Sequence, residues 1–91
     1  MYFVYILKNE KTKKLYFGYT TNLEKRIKEH NKGNTKSTNI EGNWILIYYE
    51  AYINKKDATQ REWNLKNKGR QRDFLKQNIQ NCINKPPSSS G

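Results

Sequence analysis

At 91 residues the chain is too short for two ordinary domains, and with 34% apolar residues and a mean hydropathy of -1.14 it can bury only a thin core. Eighteen Lys and Arg against eight Asp and Glu leave a net charge of +10 spread along the chain. This favours a polyanionic partner, nucleic acid before an anionic membrane surface, although plentiful lysine alone could give the same balance. The 13% aromatic content argues against a disordered tail, and no run approaches the ~20 apolar residues of a membrane span.

The segment Tyr2 to Leu7 is aromatic, β-branched and aliphatic, and Leu15 to Thr20 repeats that character, so the two predict an antiparallel hairpin. Lys8 to Lys14 between them has no Asn-Gly or Gly-Gly pair, which predicts a longer loop than a two-residue turn. The apolar start breaks at Lys8, too soon for a signal peptide, and with a single cysteine, Cys82, the expectation is a reducing, cytoplasmic setting. Thr21 or Asn22 can cap a first helix from Leu23 to Lys32, with Gly33 available to end it. After the turn-forming run GNTKSTNIEG, the segment Trp44 to Tyr52 predicts a third strand. Asn54 or Asp57 then starts a second helix reaching about Lys68, where Gly69 interrupts. Leu75, Ile79, Cys82 and Ile83 recur with helical spacing in a third, with Cys82 as a small core residue. Pro86 and Pro87 block continuation. The reading is an α+β domain over residues 1–84, a small three-stranded sheet in β-β-α-β-α-α order covered by helices, with a flexible tail over 85–91.

Three polar residues fall where apolar ones are expected. With Leu23 at 0° on a helical wheel, Ile27 lies at about 40°, His30 at about -20° and Arg26 at about -60°. His30 is thus on the buried face and Arg26 borders it, a pattern that a packed histidine and a snorkelling arginine also explain. In the second helix Ala58, Arg61, Glu62 and Leu65 share a face. A carboxylate there needs a cation, whether Arg61, Lys66, Arg26 or a divalent metal held through one carboxylate and waters. Tyr5 and Tyr16, one on each hairpin strand, would alone be ordinary packing aromatics. Tyrosine pair, arginine, histidine and carboxylate together are the parts of a phosphodiester-hydrolysing site.

In this combination the chain resembles the GIY-YIG nuclease superfamily, specifically its small stand-alone bacterial members, over roughly residues 2 to 80. Phe3-Val4-Tyr5 and Tyr16-Phe17-Gly18 match the two strand tripeptides, LEKRIKEH matches the helix with Arg26 and His30, and ATQREWNLK matches the helix with Glu62. Phe3 stands where the first motif commonly has glycine, and no second histidine follows the first helix. Lys36, Ser37 or Thr38 are candidates for its place, and Asn78 or Asn81 for a downstream family asparagine.

The resemblance implies a divalent-metal-dependent endonuclease acting on DNA, with RNA as the other polynucleotide, a role in repair or recombination, and a monomer or weak homodimer. It implies one Mg²⁺ or Mn²⁺ on Glu62, Tyr5 as general base or its positioner, and His30 as proton relay or orienter of Tyr5. Arg26 would hold the phosphate oxygens, and Tyr16 would hydrogen-bond in the same pocket. Such a site must lower the barrier by on the order of 20 kcal/mol, so no single group suffices. The two hydroxyls should converge with Arg26 and His30 on one side of the sheet, facing Glu62. Gly18 permits either close approach of a nucleic-acid backbone or a bulge. Lys66, Lys68, Arg70 and Arg72, with Lys36, are candidate phosphate contacts or a solvated face. None reads bases, which predicts weak sequence specificity and a preference for flexible, branched or single-stranded DNA. The rival reading is a non-catalytic nucleic-acid-binding module on the same fold. An adaptor using Trp63 and Tyr52 rests on composition alone.

Overall fold

The aromatic segments form a hairpin in a computed structural model that describes residues 1–32 and 42–84. Strand β1 spans Tyr2–Asn9 and β2 spans Leu15–Thr20. β1 continues past the expected Leu7 because its end also pairs with the third strand, Asn9 opposite Trp44. Asn9 explains how the chain turns without glycine. Its side-chain oxygen accepts from the backbone N–H groups of Lys11 and Thr12, both at 2.9 Å, and its carbonyl accepts from the Lys13 N–H at 2.9 Å. This turn holds Lys13 at φ 65°, in the left-handed region where a non-glycine residue is uncommon.

Helix α1 spans Leu23–Asn31, and Asn22 caps it by accepting from the Lys25 N–H at 3.1 Å. Strand β3 is Trp44–Tyr52, as expected. Helix α2, Lys55–Asn67, is capped by Asn54 through the Lys56 N–H at 2.8 Å. The helix break falls at Lys68, which is extended, and Gly69 opens the next helix rather than separating the two. The expected third helix is two: α3, Gly69–Asn78, and α4, Gln80–Asn84, separated by a turn at Ile79. Ile79 stays buried through that turn, so the hydrophobic spacing is kept while the backbone is not. Gly33 and the tail from Lys85 lie outside the described residues.

The sheet is antiparallel in the order β2-β1-β3. Strand alternation divides the core in two. Val4 and Ile6 point to one face, where Ala58 and Leu65 of α2 and Leu75 of α3 cover them with Ile47 and Ile79. Tyr5 and Leu7 point to the other with Trp44, under Leu23 and Ile27 of α1. A bulge in the β1–β3 ladder at Ile6/Leu7 gives β3 an extra residue, so that Ile47 and Tyr48 both pack on the first cluster. Cys82 is a free thiol packed at the margin of that cluster. No helix among the described residues is long and apolar enough to cross a membrane.

The charge that ties α2 to the sheet is Glu50 on β3. It receives both arms of the Arg61 fork, Nε to Oε1 at 2.9 Å and Nη2 to Oε2 at 3.0 Å, and the hydroxyls of Tyr48 and Tyr52. Burial works to raise this carboxyl, but Arg61 and the two hydroxyls outweigh it and hold it below its ordinary value. Tyr52 is therefore engaged within the fold and does not offer the free aromatic that an adaptor surface would use.

Candidate active site

Tyr5 and Tyr16 emerge on one face of the sheet. Tyr5 lies opposite Gly18 and Leu7 opposite Tyr16, and residues two apart on a strand share a face. The two rings are 6.3 Å apart. Gly18 makes this possible in a way that neither expectation named. A Cβ there would lie 2.4 Å from both Cζ and Oη of Tyr5, so the phenol itself fills the space above the glycine. That space is closed to a nucleic-acid backbone, and the β1–β2 register runs through Gly18 without a bulge.

From above, α1 brings its polar residues onto the tyrosines. Its end is clamped to β3 by Asn31, whose side chain donates to the Trp44 carbonyl at 3.0 Å and accepts from the Trp44 N–H at 2.6 Å. One residue earlier, His30 is 1% exposed, with its ring 4.6 Å from that of Tyr16 and its Nε2 2.8 Å from the Tyr5 hydroxyl. Arg26 lies near enough for its charge to act on the same hydroxyl, and it pairs with Glu29 at 3.0 Å. Burial, with the Arg26 guanidinium adding to it, pushes His30 down to about 4, so the imidazole is neutral at pH 7. Burial likewise pushes the Tyr5 phenol up to about 12 against the pull of Arg26, and it too is neutral. The proton of the Oη–Nε2 hydrogen bond lies on the side that the imidazole tautomer sets.

A histidine held neutral makes stability pH-dependent. An unfolded histidine protonates near ~6.5, so between that pH and about 4 the unfolded chain binds a proton the native chain refuses, and stability falls as pH drops, by ~3 kcal/mol in full. Denaturant melts from pH 7 to 4 should show this loss, and His30→Gln should flatten that part of the curve. A parent curve without the loss would contradict the buried neutral imidazole.

Glu62 comes from α2, which is anchored on the opposite face by Ala58 and Leu65. Its charged side meets the tyrosine face at the free edge of β2. Glu62 pairs with Lys66 at 3.1 Å, and the Lys66 ammonium lies 5.6 Å from the Tyr16 ring centroid. Of the three cations the sequence offers Glu62, the partner is Lys66, since Arg61 is committed to Glu50 and Arg26 to Glu29. The Glu62 charge is also felt at Tyr5, where it opposes ionisation. Among the described residues no three His, Cys, Asp or Glu gather to hold a metal. A partly exposed carboxylate whose partner is one surface lysine still fits a hard ion that keeps most of its waters, the habit of Mg²⁺.

The expected phosphate contacts divide. Lys66 and Arg72 line a common groove with Tyr16. Lys68 instead lies over Trp63, 5.8 Å from its ring, and Arg70 is exposed outside that groove. Part of Arg72 is structural, its Nη1 donating to the Lys66 carbonyl at 3.3 Å at the end of α2. Lys36, Ser37 and Thr38 lie outside the described residues. Asn78 ends α3 and Asn81 lies in α4, both exposed. Sequence reasoning missed Glu29, Asn31 and Trp44. Only Glu29, three residues from Arg26 on a helix, carried a local signal.

Tyrosine pair, histidine and arginine thus meet on one face of the sheet with a carboxylate helix at its edge, and the model of the GIY-YIG catalytic domain matches residues 1–78. The chain belongs to this nuclease-type family. Its relatives include UPF0213 proteins, among them one from Clostridium perfringens, 49% identical over 67 residues that make up 72% of this chain and 71% of that one. Another, from Staphylococcus haemolyticus, is 42% identical over 71 residues, 77% of this chain and 85% of the relative. The solution NMR structure of a UPF0213 protein from Bacillus halodurans is similar in fold, with a TM-score of 0.53 at 28% identity, covering 98% of this chain and 92% of that one.

Proposed function

We propose that the protein is a divalent-metal-dependent endonuclease that hydrolyses DNA phosphodiester bonds with weak sequence specificity. It prefers branched, flexible or single-stranded DNA and serves repair or recombination. The observation that carries this reading is the buried Tyr5 hydroxyl, 2.8 Å from the neutral His30 Nε2 and under the charge of Arg26, beside Tyr16. A merely packed tyrosine needs one partner for its buried hydroxyl but not a guanidinium charge beside a neutral imidazole. Glu62 would hold Mg²⁺ or Mn²⁺ through its carboxylate, and the ion would supply charge neutralisation at the scissile phosphate.

The chain's own residues supply the rest. Tyr5 and His30 are each 1% exposed, whereas the Arg26 side chain is 32% exposed, so the phosphate meets Arg26, Tyr16 and Glu62 first. Arg26 offers its remaining donors to the non-bridging oxygens as charge builds up. The attacking water approaches Tyr5 from the Arg26 side and gives its proton to Oη, while the phenol proton passes to His30 Nε2. The water oxygen forms the new bond to phosphorus as the bond to the leaving oxygen breaks. His30 is neutral at pH 7 but, under burial and the Arg26 charge, a weak base, so it carries that proton only in passing before the leaving oxygen takes it up.

The test is a labelled panel of duplex, single strand, flap and junction DNA incubated with Mg²⁺, Mn²⁺ or EDTA. Cleavage is expected only with metal, fastest on substrates with unpaired or flexible segments. Metal-dependent binding with intact DNA throughout would instead favour the non-catalytic module.

A further inference from the structure

We infer that the groove along the free edge of β2 is a track for the phosphodiester backbone of a polynucleotide strand, with Lys13 and Lys76 as phosphate contacts leading to the site. The groove is lined by Lys13, Tyr16, Phe17, Lys66, Arg72 and Lys76, with Leu15. Residues far apart in sequence thus bring four cations to one concavity, and no carboxylate lines it. The depression over α1 offers a contrast, since its lysines 25, 28 and 32 alternate with Glu24 and Glu29, and Lys28 is paired to Glu24 at 3.5 Å. Of these two surfaces only the β2 groove is lined by cations without carboxylates, its Lys66 pairing with a Glu62 that does not line it, and such an excess of positive charge is what draws a polyanion.

Two further observations tie the groove to a strand. It is continuous with the candidate site, because Tyr16 and Lys66 belong to both, and Lys66 reaches Glu62 at 3.1 Å. Aromatic surface from Tyr16 and Phe17 lies between the cations, a combination that single strands use through base stacking alongside phosphate contacts. Lys13 is also fixed in place: the Asn9 turn holds it at φ 65°, where glycine or asparagine would sit with less strain. The turn sets the backbone from which Lys13 lines the groove at that cost.

The inference deepens the nuclease reading but is tested without catalysis, so the two can fail separately. Binding of a fluorescein-labelled oligo-dT strand is measured with EDTA, in a Glu62→Gln background, over a range of NaCl. The double variant Lys13→Gln/Lys76→Gln is expected to bind about tenfold more weakly at low salt. Its log–log salt slope should shrink by about 1.4, the value for two lost single-strand phosphate contacts. Lys25→Gln/Lys28→Gln, which removes the same charge from α1, is expected to leave the slope nearly unchanged. All four lysines are exposed, and circular dichroism establishes that each variant is folded. Equal losses in the two double variants, or no loss in the first, would overturn the track.

Discussion

Replacing Arg26 with alanine is expected to slow cleavage by roughly 10²-fold or more, the scale of losing a donor to developing transition-state charge. The loss should fall on kcat with KM little changed if the guanidinium, oriented by Glu29, meets the charge that builds up in reaction more than the charge present at binding. Arg26→Lys should recover only part of the rate, since an ammonium keeps the charge but not the planar fork. Loss of oligonucleotide binding with kcat intact would make Arg26 a phosphate anchor instead. Unchanged cleavage would make it structural.

The second large effect belongs to a residue with no side chain. Gly18→Ala places a Cβ 2.4 Å from Cζ and Oη of Tyr5, closer than packed atoms approach, and the neighbour that must yield is a fully buried ring. Overpacking of this kind costs about 1–3 kcal/mol. Because the displaced atom is the hydroxyl that reaches His30, cleavage should fall at least as far as in Tyr5→Phe, which removes the hydroxyl without a clash. Denaturant melts separate the two variants: Gly18→Ala loses stability, and Tyr5→Phe loses less. A Gly18→Ala protein as stable and as active as the parent would mean that Tyr5 does not depend on the space above Gly18.

These two residues also mark how far the sequence could be read. Arg26 and His30 were legible because a helix repeats at a fixed angle, so two polar residues beside Leu23 and Ile27 had to face the sheet. The strands were legible from their aromatic and β-branched runs, and the caps at Asn22 and Asn54 from side-chain chemistry. The role of Gly18 was not, because it depends on the tilt of Tyr5 across the strand pair, a tertiary fact. Nor was the partner of Arg61, which lies eleven residues away at Glu50, or the bulge that turns Ile47 and Tyr48 to the same layer. Hydrophobic spacing ran unbroken through Ile79, so it concealed the turn that divides α3 from α4. The groove beyond Tyr16 was half legible: Lys66 and Arg72 stood in a basic run, while Lys13 and Lys76 had no local mark and are brought there by the hairpin turn and α3.

The nuclease reading rests on chemistry at one carboxylate and one phenol. Its most direct measurement is the rate of metal-dependent cleavage of a labelled flap substrate by the parent and by Glu62→Ala, titrated with Mg²⁺ and Mn²⁺ and repeated in EDTA. The parent should cleave with either ion and stop in EDTA, while Glu62→Ala should be nearly inactive at every metal concentration. Equal rates for the two proteins, or no metal-dependent cleavage by the parent, would contradict the account.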